Sequence, residues 1–211
     1  MSSRPERLAF IAGTATEVGK TWTAAAIAAG LRARGTSVSA RKPVQSFAAG
    51  SGATDAEVLA AATGEQPQDV CPRHRWYGVA LAPPMAAVAL GRPGFALADL
   101  MADLAWPAGT AVGLVEGVGG PASPLADDTD SAALARALSP DLVVLVAPAG
   151  LGAINAVRLA VAALPPPVVV FLNHFDPADP TQVANAAWLT TRDGFTVVTS
   201  VDALLTDVSR K

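Results

Sequence analysis

At 211 residues the chain has room for one domain with small insertions. Hydrophobic residues make up 51% and charged residues 16%, which excludes a disordered chain and supplies material for a buried core. A net charge of −3 with no five-residue basic run argues against a nucleic-acid partner. Cys71 is the one cysteine, so an intrachain disulfide and a cysteine-based zinc site are excluded, and a reducing cytoplasm fits. The apolar stretch before Gly13 is too short for a signal peptide. No apolar run reaches the roughly 18 to 20 residues that a membrane span needs. Residues 142–154 come closest, and Pro148, Gly150 and Gly152 interrupt them.

In chain order, residues 8–12 read as a strand and 20–34 as a helix. A second strand follows at 37–42, then a helix at 55–62 with Thr54 as its cap. Six prolines, from Pro67 to Pro107, break the middle third into loops and short helices expected to cover the active-site end. Further strands are expected at 111–116, 142–147, 168–173 and 195–200, with helices at 130–138, 153–164 and 181–192. The run Leu142-Val143-Val144-Leu145-Val146 is apolar on both sides of the alternation, as in strands buried on both faces. Strands alternating with helices imply an α/β fold, a mostly parallel doubly wound sheet with helices on both faces. Ligands of such sheets bind beyond the C-terminal ends of the strands, so candidate residues should follow strands.

The loop Gly13-Thr14-Ala15-Thr16-Glu17-Val18-Gly19-Lys20-Thr21 does follow one, and it opens a helix. A phosphate needs backbone N–H donors, room for close approach and a helix N-terminus. Gly13 and Gly19 give room, Lys20 reaches the β- and γ-phosphates, and the Thr21 hydroxyl suits Mg²⁺. Five residues separate Gly13 from Gly19, one more than the usual phosphate loop. Lys42 ends the second strand before Pro43. It can face an anion, although a surface lysine at a strand end is the commoner local reading. Glu116 caps an apolar strand before Gly117, Gly119 and Gly120, where a magnesium-holding carboxylate is expected. Asp55 by itself reads as a first-turn acid that complements the helix dipole. Asn155 sits in a helix's first turn after Gly150 and Gly152, and Asn173 follows a strand, where it could read a base edge or serve as a polar turn residue. His74 and His174 are too isolated for a metal pair. Trp22, Trp76, Trp106 and Trp188 read as packing residues.

Together these segments resemble dethiobiotin synthetase, the ATP-dependent carboligase family of biotin biosynthesis. The resemblance rests on the long-spaced loop 13–21, on Lys42-Pro43-Val44, on Val115-Glu116-Gly117-Val118-Gly119-Gly120 followed by Pro124-Leu125, and on Leu151-Gly152-Ala153-Ile154-Asn155. The motifs keep the family's order over residues 8 to 175. The resemblance implies a single P-loop NTPase domain over residues 1–211. It implies a cyclo-ligase that uses ATP, Mg²⁺ and CO₂ or bicarbonate to convert 7,8-diaminopelargonic acid to dethiobiotin, through a carbamate and a carbamic-phosphoric anhydride. Gly13, Thr14, Glu17, Val18, Gly19, Lys20, Thr21, Glu116 and Asn173 match nucleotide-binding positions. Thr21, Asp55 and Glu116 match the metal ligands. Lys20, Lys42, Thr16 and Ser46 match catalytic positions, and Thr16, Lys42, Ser46, Gly119, Gly152 and Asn155 match substrate positions. Gly152 and Asn155 correspond to the segment that reaches a neighbouring subunit's substrate, which implies a homodimer.

The chain departs from the family pattern at Phe47, where the family usually has Gly, at Ala156, which replaces a common His, and at Thr199-Ser200-Val201-Asp202, in a region that normally helps hold the base. Three other readings compete. A cobyrinate-type amidotransferase needs a longer chain and a nucleophilic Cys. A ParA/MinD-like regulatory ATPase needs an extra early lysine, where Gly13, Thr14 and Ala15 stand. A homologue with lost activity is the third.

Overall fold

The computed structural model describes residues 4–50 and 52–210. Met1, Ser2 and Ser3, which begin the stretch weighed above as a leader, lie outside the described residues. The first half of the chain comprises β1 (Arg7–Gly13), α1 (Lys20–Ala33), β2 (Val38–Arg41), β3 (Gln45–Ser46), α2 (Asp55–Thr63), α3 (Pro67–Val70), β4 (Trp76–Tyr77), α4 (Pro83–Ala89) and α5 (Leu97–Asp103). The second half comprises β5 (Val112–Glu116), β6 (Pro124–Ala126), β7 (Thr129–Asp130), α6 (Ser131–Leu138), β8 (Leu142–Pro148), α7 (Ala153–Ala163), β9 (Val168–Asn173), α8 (Pro180–Thr191), β10 (Thr196–Val198) and α9 (Val201–Ser209).

Six strands pair in the order β10-β9-β8-β1-β5-β2, every pair parallel. Each central strand divides its side chains between two cores. Leu8, Phe10 and Ala12 join one cluster with Val143, Leu145 and helices α6 and α7. Ala9 and Ile11 join the other with Val144, Val146 and helices α1, α2 and α9. That division is the physical reason for the continuous Val/Leu runs, since neither face of the strand meets water. The doubly wound α/β expectation holds, and no helix among the described residues is long and apolar enough to cross a membrane.

Local signals explain the starts of several helices. Thr54 caps α2 by a reciprocal capping box with Glu57, whose carboxylate accepts the Thr54 N–H at 2.7 Å. Asp130 and Asp179 cap α6 and α8 through their side chains. The proline-rich middle does form short pieces, namely α3, α4, α5 and β4, which pairs with β3 from outside that stretch. The last strand is shorter than expected, because Ser200 turns the chain into α9 by capping it. That helix was not foreseen, although Val201, Leu204, Leu205 and Val208 carry the helical spacing of a buried face. Its Leu204, Leu205 and Val208 are buried.

Candidate active site

The C-terminal ends of β1, β2 and β5 converge on a cavity of about 800 Å³. It gathers Thr16, Glu17, Gly19, Lys20 and Thr21 from the loop, Lys42 and Ser46 from the segment after β2, Asp55 from α2, and Glu116 and Gly119 from the segment after β5. Residues far apart in the chain meet there because parallel strands all release their loops at one edge of the sheet.

The loop is built around two close approaches. Gly19 has φ +95°, and a Cβ there would stand 2.2 Å from Asn173 Nδ2. At Gly13 a Cβ would stand 2.8 Å from Val18 Cγ2. A side chain at Gly19 is therefore excluded by backbone conformation and by space together. Glu17 also takes a left-handed φ of 62°, and the Thr14 N–H is tied to Val146 O at 3.0 Å. Lys20 folds back along the loop and donates to Ala15 O at 3.0 Å. Burial first, and Lys42 second, lower its pKa to about 8.

Beside the loop lies a charged cluster. Thr21 Oγ1 lies 2.8 Å from Asp55 Oδ1 and 2.9 Å from Glu116 Oε1. Lys42 Nζ donates to Glu116 Oε1 at 2.6 Å and to Gly117 O at 3.0 Å, and pairs with Asp55 Oδ2 at 2.8 Å. Lys42 is 3% and Glu116 1% exposed, so the pair sits out of water. Burial disfavours the Lys42 charge, but Glu116 and Asp55 outweigh it and raise the ammonium's pKa. Burial raises the Glu116 carboxyl against the pull of Lys42. It works in the same direction on Asp55, where Lys42 prevails and holds the carboxyl below its usual range. The local reading of Asp55 as a helix-dipole acid is thus incomplete, because its carboxylate also bonds Thr21 and pairs with Lys42.

Glu116 Oε2 is buried without a hydrogen-bond partner. A hydroxyl flanked by two carboxylates, one with an unpartnered oxygen, is an all-oxygen donor set of the kind a hard divalent cation such as Mg²⁺ takes. Thr21, Asp55 and Glu116 are the residues able to hold it. No group of three His, Cys, Asp or Glu is assembled for a metal among the described residues. The fit therefore depends on the Thr21 hydroxyl as a third donor.

Asn173, Ser46, Gly152 and Asn155 are the other expected residues. Asn173 is 3% exposed and outside the cavity wall, and both ends of its amide are engaged. Nδ2 donates to Val18 O at 3.1 Å, and Oδ1 accepts the His174 N–H at 3.0 Å. Ser46 lines the cavity and donates to Leu81 O at 2.6 Å. Gly152 and Asn155 are exposed at the start of α7 and take no part in this cavity. Phe47 also lines the wall, its ring edge-on to Trp76 at 6.0 Å. Sequence reasoning passed over Gln45, which is buried in the wall and accepts the Ala56 N–H at 3.0 Å, bracing the start of α2 beside Asp55. It also took Trp22 for a packing residue. Trp22 is instead 52% exposed and lines the cavity. Its position directly after Thr21 was the available signal.

The sequence pattern of an AAA domain family matches residues 7–202. The ATP-dependent dethiobiotin synthetase BioD of Methylobacterium nodulans is 41% identical over 168 residues, covering 74% of this chain and 73% of that protein. The enzyme of the same name from Anaeromyxobacter dehalogenans strain 2CP-C is 38% identical over 194 residues, covering 87% and 86%. Among solved structures, a putative plasmid partition protein from Borrelia burgdorferi superposes with a TM-score of 0.53 at 14% identity, covering 96% of this chain and 90% of that one. The signal recognition particle receptor FtsY from Elizabethkingia anophelis gives 0.56 at 11% identity, covering 99% and 67%. At those identities the likeness establishes a shared P-loop fold.

Proposed function

Since this chain belongs to the ATP-dependent dethiobiotin synthetase family, we propose that its cavity carboxylates 7,8-diaminopelargonic acid with CO₂ and closes the product to dethiobiotin at the expense of ATP. The observation that carries the reading is the pair of buried ammonium groups, Lys20 and Lys42, facing one cavity beside Thr21, Asp55 and Glu116.

The chemistry requires such a site. One amine of the substrate captures CO₂ as a carbamate. A carbamate oxygen then attacks the γ-phosphorus, the bond from phosphorus to the bridging oxygen breaks, and ADP leaves. The second amine attacks the carbonyl carbon, phosphate departs, and the ureido ring closes. The second step brings two anions together, so its barrier falls where positive charge is already in place and water is excluded. The loop's N–H groups and Lys20 hold the phosphates. Lys42 sits where it can turn from its carboxylates toward the carbamate and the γ-phosphoryl oxygens. Thr16, Ser46 and Gly119 form the substrate side of the wall. Mg²⁺, held by Thr21, Asp55 and Glu116, would neutralise phosphate charge.

In this reading all 211 residues serve as one P-loop domain in the cytoplasm, and a second copy supplies Gly152 and Asn155 to complete the substrate site. The test is phosphate release by the pure protein with and without diaminopelargonic acid, together with detection of dethiobiotin. Substrate-stimulated release with product formation is expected, and Lys20→Ala is expected to abolish turnover while leaving the circular dichroism spectrum unchanged. Basal release that ignores the substrate would instead favour a regulatory ATPase. Undiminished turnover in the Lys20 variant would remove the loop from the mechanism.

A further inference from the structure

The direction in which a triphosphate crosses the loop follows from strand order. The charged cluster suited to the γ-phosphate comes from Lys42 and Glu116, which leave β2 and β5 on one side of β1. The loop's N–H groups cradle the phosphates nearer the nucleoside, so the nucleoside must lie on the other side, over β8 and β9. Asn173 and His174 leave β9 on that side, and Asn173 reaches back to the loop through its bond to Val18 O.

Two rings meet there. Trp22 directly follows the candidate metal ligand Thr21 and lines the same cavity, yet 52% of it is exposed, while Lys20, Thr23 and Ala24 around it are buried. Its indole lies 6.0 Å from the His174 imidazole, centroid to centroid, with the ring planes 31° apart. His174 is held in a left-handed backbone conformation, φ 53°, and Asn173 Oδ1 accepts its N–H there. A residue with a Cβ rarely adopts that region. Here it turns an exposed imidazole toward the exposed indole.

We propose that Trp22, flanked by His174, is the stacking wall for the nucleobase of the bound nucleoside triphosphate. The inference rests on the nucleotide-binding reading given above and adds the residues that recognise the base. Stacking uses the π-face that every base has, so it needs no edge-reading partner and suits a site in which the Asn173 amide is already engaged. It also gives an exposed indole a surface to cover.

The test compares Mg²⁺·ATP with Mg²⁺·tripolyphosphate, which keeps the phosphates and lacks the base. Calorimetry and tryptophan emission of the full chain are followed together. Trp22→Ala is expected to weaken ATP by roughly tenfold or more, and to leave tripolyphosphate unchanged. Trp22→Phe, which keeps a ring, should retain most of the ATP affinity but lose the emission change that ATP causes in the unsubstituted chain. His174→Ala should give a smaller loss with the same preference for affecting ATP. Equal weakening of both ligands, or ATP binding indifferent to Trp22→Ala, overturns the proposal and leaves the nucleotide reading intact. Failure of the unsubstituted chain to bind Mg²⁺·ATP removes that reading, and this inference with it.

Discussion

Glu65 lies outside the cavity, yet it secures the strand end that presents Lys42. One carboxylate oxygen accepts from the Ser39 hydroxyl and from Arg41 Nη1, the latter at 2.7 Å, and the other accepts the Ala40 N–H at 2.9 Å. Arg41 is almost fully buried, donates through Nε to Ala105 O at 2.6 Å, and lies over the Trp106 ring at 4.8 Å. Burial alone would raise the Glu65 carboxyl, but the Ser39 hydroxyl and Arg41 hold it below its ordinary range. A depressed carboxylate pKa contributes stability above the ordinary value, about 4.3, and loses it as pH falls through the folded value. Glu65→Gln leaves the buried guanidinium uncompensated and is expected to cost about 3 kcal/mol at pH 7. In urea titrations the gap from the unsubstituted protein should narrow as pH falls below about 4. A gap independent of pH would show that the carboxylate charge is not what holds this strand end.

At the scale of elements, the packing of α9 on α1 makes a counter-intuitive prediction. Gly30 is interior to α1, where alanine is ordinarily favoured by about 1 kcal/mol. Here a Cβ would stand 2.6 Å from Leu205 Cδ1. Gly30→Ala is therefore expected to destabilise the protein, and Leu205→Ala to cost about 2 to 4 kcal/mol by leaving a cavity. The double variant should be more stable than the sum of the two losses allows, because the new methyl enters the space that Leu205 vacates. Strict additivity in thermal or urea unfolding would show that the two helices do not share this contact. The same packing changes the reading of Ser200. A residue that departs from the family pattern serves as the cap that starts a helix closing one core.

The largest scale concerns a second copy of the chain. Gly152 and Asn155 stand at the exposed start of α7 beside Leu151, which is 97% exposed, and this chain's own cavity does not include them. If two copies pair about a two-fold axis, each site receives the partner's α7 start. An inactive Lys20→Ala protein mixed and re-equilibrated with a defective Asn155→Ala protein should then regain dethiobiotin synthesis that neither shows alone. One of the two sites in a mixed dimer keeps its own Lys20 and the partner's Asn155. No recovery, with a single monomeric species in sedimentation, would rule out the shared site.

The phosphate-loop motif, the doubly wound sheet and the placement of Lys20, Thr21 and Glu116 at the C-terminal edge of that sheet were legible in the chain itself. They depend on periodicity and on short spacings, in which neighbours in sequence are neighbours in space. Thr54 announced its helix for the same reason, through a capping box closed within four residues. Tertiary structure alone decided the rest. Asp55 and Lys42 look ordinary locally; Asp55 acquires meaning from Lys42 and Thr21, 13 and 34 positions earlier in the chain, and Lys42 from Glu116, 74 positions later. Asn173 is drawn to the loop 155 positions away and its amide is engaged there. Trp22 reads as core by composition, yet it faces the cavity because the helix turn that buries Lys20, Thr23 and Ala24 leaves its position outward. Charge pairing and exposure depend on what the sheet brings alongside, and parallel strands bring together residues that no local window contains.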